Sequence, residues 1–240
     1  MSWELAVALA STLAGAIASV AGFGIGRILT PLFALQHGTQ LAIAAVSIPH
    51  LAGTALRFFM LRKSLDTRVL RSFGLASAGG GLVGALLHAR TVDPVLRIVF
   101  GLLLLLAAAS ELLGLARRVE LTRTGALAAG AVSGLFGGLV GNQGGIRSAA
   151  MLALPLKRDA FVATATATAL LVDGVRMPVY FASTGAQIAE VWPIVLLATG
   201  GVLVGTLLGR TTLARIPEPR FRTAIALLLA LLGLYMLASR

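Results

Sequence analysis

Two short glycine-rich segments, each carrying an arginine, lie between long apolar stretches of this 240-residue chain. The first is GFGIGR at residues 22–27, and the second is GNQGGIR at residues 141–147. Glycine reaches backbone conformations with positive φ and lets a ligand approach the main chain closely. A helix that begins at such a turn presents free N–H groups and the positive end of its dipole, which favour an anion. The two segments therefore predict an anion-binding site.

The side chains of the same segments are suited to oxyanions. Arginine offers a guanidinium group for bidentate contacts, and asparagine and glutamine offer amide donors. We expect helices to begin near Arg27 and near Ile146, directly after these turns. The alternative is that the glycines serve only close helix packing. The candidate substrate-binding residues are Gly22, Phe23, Gly24, Gly26, Arg27, Gly141, Asn142, Gln143, Gly144, Gly145 and Arg147.

Four further ionisable residues lie inside apolar stretches and are candidates for coupling or gating: His50, Arg57, Asp173 and Arg176. Charged groups inside a membrane are costly and usually mark function. Simpler explanations stay open for each. Arg57 and Arg176 are close enough to helix ends to reach the membrane surface. Asp173 and Arg176 have the spacing of an ion pair that only neutralises both charges, and His50 has the position of a packing residue.

The composition indicates that the elements carrying these residues are membrane helices. Apolar residues make up 58% of the chain, charged residues 12%, and the mean hydropathy is +0.93. A helix needs roughly 20 apolar residues to cross the hydrocarbon core. We therefore predict an all-α polytopic membrane protein with eight full spans and two half-length segments, the latter at about 28–36 and 148–156. The full spans are at about 5–21, 41–61, 72–88, 98–116, 124–140, 160–181, 191–209 and 221–239.

The order of these segments indicates an internal duplication. Shifting the sequence by 119 positions aligns Gly22 with Gly141 and Arg57 with Arg176. We predict two membrane repeats, residues 1–119 and 120–240, each with five segments including a short half-helix after a glycine-rich turn. Lysines and arginines collect on one side if every short segment crosses the membrane, which favours inverted repeats. Residues 62–71 and 183–190 would then lie on opposite faces.

The same features narrow the class of function. Although the net charge is +11, the basic residues flank apolar spans, so no nucleic-acid partner is indicated. The chain has no cysteine and no His/Glu cluster, and we expect no metal and no cofactor. Because no acid–base pair stands out, an intramembrane enzyme is not indicated. A carrier or a channel for a small anion remains.

The layout resembles the TauE/SafE sulfite exporter family of membrane permeases. The resemblance rests on a glycine-rich turn, a short apolar piece, a small-residue helix, a glycine-rich helix and a leucine-rich closing helix, given twice over nearly the whole chain. It implies a secondary transporter of sulfite or an organosulfonate, multi-pass in a bacterial inner membrane and compatible with a homodimer. An anion channel or a carrier of a small carboxylate is the alternative. The chain departs from the usual denser glycine run at Phe23, Ile25, Arg27, Asn142 and Gln143.

Overall fold

The computed structural model describes residues 2–114, 122–142, 144–152, 154, 156–212 and 218–239. Within these ranges the chain is almost entirely helical. The helices of the first half are α1 (Trp3–Ala21), α2 (Ile25–His37), α3 (Thr39–Leu61), α4 (Thr67–His88) and α5 (Asp93–Leu113). A 3₁₀ turn, Arg62–Ser64, joins α3 to α4, and a π-helical turn, Leu70–Gly74, lies within α4.

The second half repeats this order. Its helices are α6 (Arg123–Val140), α7 (Gly144–Leu152), α8 (Arg158–Glu190), α9 (Trp192–Thr212) and α10 (Glu218–Ala238). In both halves the second helix is short: α2 has 13 residues and α7 has nine. The break before each short helix comes where the sequence has its glycine-rich turn.

The length and surface of the helices confirm an all-α polytopic membrane protein. Among the described residues, seven helices are long and apolar enough to cross a membrane: α1, α3, α4, α5, α8, α9 and α10. The helix α6, with 18 residues, is slightly shorter than these. Large apolar side chains such as Leu106, Leu227 and Leu231 are exposed on the outside of the bundle. Lipid is the solvent that suits such a surface, because water would penalise it.

The predicted boundaries of α2, α7 and α8 were wrong, for reasons that lie in the turns and the packing. The helix α2 begins at Ile25 rather than near Arg27, because Gly24, with φ of 136°, already serves as its N-terminal cap. The helix α7 begins at Gly144 rather than near Ile146, and it ends earlier than the predicted 148–156 segment. The helix α8 extends to Glu190, beyond the predicted 160–181. Its last turns are less apolar in sequence but still contribute buried residues such as Ile188 to the core.

The helices pack in pairs that follow the order of the two halves. The most extensive pairs are α1 with α9 and α4 with α6, in which the first helix of one half packs on the fourth helix of the other. The pair α3–α9 corresponds in the same way to α8–α4, while α5 packs on α10 and α3 on α8. The two halves thus correspond in helix order and in pairing, while the two predicted membrane repeats stay a prediction. Their boundary at 119 and 120 lies outside the described residues.

Candidate functional site

The helices that precede the two glycine-rich turns end in the same way. The N–H of Gly22 donates to the carbonyl of Ala18 at 2.9 Å, and Gly22 has φ of 80°. In the second half the N–H of Gly141 donates to the carbonyl of Gly137 at 3.1 Å, and Gly141 has φ of 71°. Left-handed backbone of this kind suits glycine because a Cβ would clash with the chain. The sequence therefore stops α1 and α6 at equivalent positions.

The two turns pack against each other inside the protein. A Cβ at Gly26 would lie 3.0 Å from the carbonyl oxygen of Gly141, and one at Gly144 would lie 2.8 Å from the Cβ of Phe23. The absence of side chains at these glycines is what lets the backbones come so close. The structure thus brings together the predicted residues from both halves. The predicted site residue Gln143 lies outside the described residues.

Arg27 crosses from one turn to the other. Its side chain is 3% exposed, its Nε donates to Oδ1 of Asn142 at 3.0 Å, and its guanidinium carbon lies 4.4 Å from the centre of the Phe23 ring. A Cβ at Gly145 would lie 2.9 Å from Nη2 of Arg27, so this glycine provides the space for the guanidinium. No hydrogen-bond partner for Nη2 is present among the described residues. That nitrogen is a buried donor whose hydrogen-bonding capacity is unused in the described part of the chain.

A cavity of about 400 Å³ adjoins Arg27. Its wall includes Phe23, Arg27, Asn142 and Gly145 from the turns, together with the charged residues Glu111 of α5 and Arg222 of α10. Its volume is in the range of small-molecule sites. The sequence did not indicate either Glu111 or Arg222 as part of the site.

Arg147 is buried close to this cavity but does not line it. Its side chain is 3% exposed, and its Nε and Nη1 have no hydrogen-bond partner in the described part of the chain. Arg147 is attracted electrostatically by Asp173 and repelled by Arg176. It also repels Arg27. The position equivalent to Arg27 is Ile146, one residue earlier. Adjacent helix positions differ by roughly 100° around the axis, so the two arginines point in different directions.

Arg57 and Arg176 hold the ends of the helices that stop at the turns. A guanidinium N–H of Arg57 donates to the carbonyl of Ala18, and one of Arg176 donates to the carbonyl of Gly137 at 2.7 Å. Both side chains are buried, so the alternative that they reach the membrane surface was wrong. A cation at the C-terminal end of a helix is favourable because the free carbonyls carry negative partial charge. Each arginine therefore stabilises the break in its own half.

His50 and Asp173 connect α3 to α8. The imidazole Nδ1 of His50 lies 2.7 Å from Oδ2 of Asp173, and the other carboxylate oxygen lies 2.8 Å from Nη2 of Arg176. The predicted pairing of Asp173 with Arg176 is thus present, and His50 joins it from the other half. Among the described side chains, no group of three or more His, Asp or Glu residues could hold a metal ion.

Comparison with known proteins agrees with this architecture. The profile of the family described as "Sulfite exporter TauE/SafE" matches residues 7–236. The chain belongs to the TauE/SafE sulfite exporter family. Members of this family are membrane transporters of sulfur-containing anions rather than enzymes, and the chain is accordingly a multi-pass membrane transporter. No similar curated protein and no similar solved structure was found.

Some residues around the turns of this TauE/SafE protein were missed by the sequence analysis. Tyr180 is buried, its hydroxyl donates to the carbonyl of Gly138, and its ring lies 4.6 Å from that of His88. Thr54 contacts Nη2 of Arg57 at 3.3 Å, as Asp173 contacts Arg176. Two signals were available in the sequence: Tyr180 is one helical turn after Arg176, and Thr54 is 119 positions before Asp173.

Proposed function

We propose that this protein is a secondary transporter of sulfite or a small organosulfonate in a bacterial inner membrane. In this proposal the anion is held at the two glycine turns, and the two halves alternate its exposure to the two sides of the membrane. Membership of the TauE/SafE family supports a sulfur-containing anion as the substrate class.

The observation that carries the proposal is an excess of buried positive charge, with guanidinium nitrogens that have no hydrogen-bond partner among the described residues. Among the described residues, the buried charged side chains are Arg27, Arg57, Arg147, Arg176 and Asp173. Cations therefore exceed carboxylates in the interior, and nitrogens of Arg27 and Arg147 have no hydrogen-bond partner there. An uncompensated buried charge costs several kcal/mol. A bound anion would supply the missing charge and the missing acceptors.

The groups around Arg27 match a small oxyanion. Nη2 of Arg27 and Nδ2 of Asn142 are both buried donors without a partner in the described chain. The short helices α2 and α7 begin beside them and add the positive ends of their dipoles. An anion at this position would also weaken the repulsion between Arg27 and Arg147. These donors support an oxyanion with several acceptor oxygens.

The arrangement of helices supports alternating access. Each half contributes one broken helix pair to the site, α1–α2 and α6–α7, and each first helix packs on a fourth helix of the other half. Inverted repeats of this kind commonly move as bodies around a central site. Arg27 lines the cavity, whereas Arg147 does not and interacts electrostatically with Asp173 and Arg176 of α8. A rocking motion would open the Arg147 side and close the cavity.

Anion binding to the purified protein tests the proposal. Sulfite should raise the melting temperature of the wild-type protein, and Arg27→Gln and Arg147→Gln should each remove that increase. The exposed Arg68→Gln is the matched control and should keep it. Sulfite that stabilises both buried variants as well as the wild type would contradict the proposed site. A transport assay in proteoliposomes distinguishes a carrier from a channel. Uptake of labelled sulfite that is accelerated by unlabelled sulfite on the opposite side would identify a carrier. Uptake without this acceleration would identify a channel.

A further inference from the structure

We propose that His50 and Asp173 form a proton-binding site that is separate from the anion site and coupled to it. The proposal rests on the proposed function, because the coupling partner is the transported anion. In the coupled reaction a proton from water is taken up by the His50–Asp173 pair when the anion binds and is released when the anion leaves.

The pair has the geometry of a shared proton site inside the membrane domain. Asp173 is fully buried, His50 is 12% exposed, and Nδ1 of His50 lies 2.7 Å from Oδ2 of Asp173. A contact this short requires one proton between the two groups, and with Asp173 ionised it is the N–H of Nδ1 that donates to the carboxylate. One additional proton converts the neutral imidazole to imidazolium beside the same carboxylate. Two groups this close titrate as one unit.

Comparison of the two halves shows the same arginine contact to a helix end in a half that lacks such a pair. In the first half Thr54 occupies the position equivalent to Asp173, and its hydroxyl contacts Nη2 of Arg57 at 3.3 Å. Arg57 nevertheless makes the same contact to the end of α1 as Arg176 makes to the end of α6. The position equivalent to His50 is Ala169. Both helix ends are thus held by an arginine in the same way, but only one of these arginines lies beside an imidazole and a carboxylate.

Arg147 connects this pair to the anion site. The charged and titratable groups facing Asp173 are His50 and Arg57 from α3, Arg147 from α7, and Arg176 and Tyr180 from α8. His88 of α4 lies one contact further, against the ring of Tyr180. Of these, Arg147 is the one that also acts on Arg27 across the turns. Negative charge brought to Arg147 by an anion leaves less positive charge to stabilise the Asp173 carboxylate.

The direction of the coupling follows from this arrangement. An anion next to Arg147 reduces the net positive charge around the His50–Asp173 pair, and that favours the uptake of a proton. By linkage, protonation of the pair must favour anion binding by the same factor. Proton and anion therefore bind together and cross together, so the transport is a symport of the two.

Proton uptake on anion binding is the direct measurement. Purified protein in weakly buffered detergent solution near neutral pH receives sulfite adjusted to the same pH, and a pH-sensitive dye records protons taken up or released. Calorimetric titration of the same samples gives the amount of sulfite bound. We expect the wild type to take up about one proton per sulfite more than His50→Asn and Asp173→Asn. Sulfite itself also exchanges protons when it binds. Because the wild type and the variants are compared at the same amount of bound sulfite, this contribution is equal in all of them and cancels.

The controls separate this proposal from a purely structural role. His50→Asn retains an amide donor near the position of Nδ1, so the contact to Asp173 and the fold are kept while the titratable ring is lost. Glu190→Gln removes an exposed carboxylate from the same helix α8 and should behave as the wild type. Equal proton uptake per bound sulfite in the wild type and His50→Asn would overturn the coupling but leave the anion site intact. Absence of sulfite binding to the wild type would overturn the proposed function and the coupling with it.

Discussion

At the residue scale, the site is organised by one hydrogen bond between the two halves of the chain. Arg27 of α2 donates from Nε to Oδ1 of Asn142, which lies in the turn before α7. Asparagine is suited to this place because its neutral oxygen fixes the guanidinium without supplying the charge that an anion would supply. A carboxylate in the same place would form an ion pair and compete with the ligand.

Asn142→Asp should therefore weaken anion binding. The new carboxylate would neutralise Arg27, and we expect the affinity for sulfite to fall by about tenfold or more, or ~1.4 kcal/mol. The ligand-free protein should melt at a higher temperature because a buried cation gains a partner. Calorimetric titration and thermal unfolding measure the two effects. Gln187→Glu adds the same charge at an exposed position of α8 and should leave both unchanged. Unaltered affinity in Asn142→Asp would place the anion away from Arg27.

At the element scale, the broken helices are positioned by contacts that only glycine permits. The helices α1 and α9 approach so closely that a Cβ at Gly205 would lie 1.9 Å from the carbonyl oxygen of Thr12. In the equivalent pair α4–α6, a Cβ at Gly134 would lie 1.8 Å from the carbonyl oxygen of Ser77. Backbone atoms cannot move aside as a flexible side chain can. The two pairs thus fix the helices that end at the glycine turns.

Substitution of Gly205 by alanine should separate α1 from α9. The added Cβ would meet backbone atoms of α1. We therefore expect the free energy of unfolding to fall by ~1–3 kcal/mol or more, as overpacking usually costs, or the protein to fail to fold. Gly200 on the same helix has open space around its Cα. Gly200→Ala should therefore be neutral or stabilising, since alanine favours helix by up to ~1 kcal/mol. Thermal unfolding in detergent compares the two, and equal stability of both variants would contradict the close approach.

At the scale of the whole molecule, we predict that the two halves are inverted relative to each other in the membrane. The pairing of α1 with α9 and of α6 with α4 is what two equivalent halves related by a twofold axis would produce. The hydrogen bonds from Arg57 to the carbonyl of Ala18 and from Arg176 to the carbonyl of Gly137 show the same relation between individual atoms. An axis in the membrane plane places equivalent loops on opposite faces.

Labelling of single cysteines tests this orientation. The natural sequence contains no cysteine, so an introduced one is read without background. Lys63→Cys, in the connection after α3, and Gln187→Cys, near the end of α8, both replace exposed residues. A membrane-impermeant maleimide should label one in right-side-out vesicles and the other in inside-out vesicles. Labelling of both from the same side would exclude inverted halves.

Much of the fold could be predicted from the sequence because long apolar segments can be accommodated only as membrane helices. The glycine turns were also predictable, since few other residues adopt positive φ, and Gly22 and Gly141 do so in the structure. The starts of α2 and α7 were predicted too late. Apolar periodicity does not reveal that Gly26 and Gly144 are helical, because Gly26 packs on the carbonyl oxygen of Gly141 and Gly144 on the side chain of Phe23 in the opposite turn.

The candidate site was predictable only in part. Arg27, Asn142 and Arg147 stood out by residue type, but the sequence could not show that Arg27 would donate to Asn142 while Arg147 would be buried outside the cavity wall. A one-residue offset between the two turns decided this. The inclusion of Glu111 and Arg222 in the cavity wall depended on how α5 and α10 pack beside the turns.

The sequence by itself determined that this protein lies in a membrane and where two of its helices break. Those properties follow from hydropathy, backbone freedom and residue type, which act locally. Only the tertiary structure decided which charges meet. His50 and Asp173 are 123 positions apart in the chain, yet their side chains are 2.7 Å apart across α3 and α8. Packing of the two halves sets such distances, and local sequence rules do not contain them.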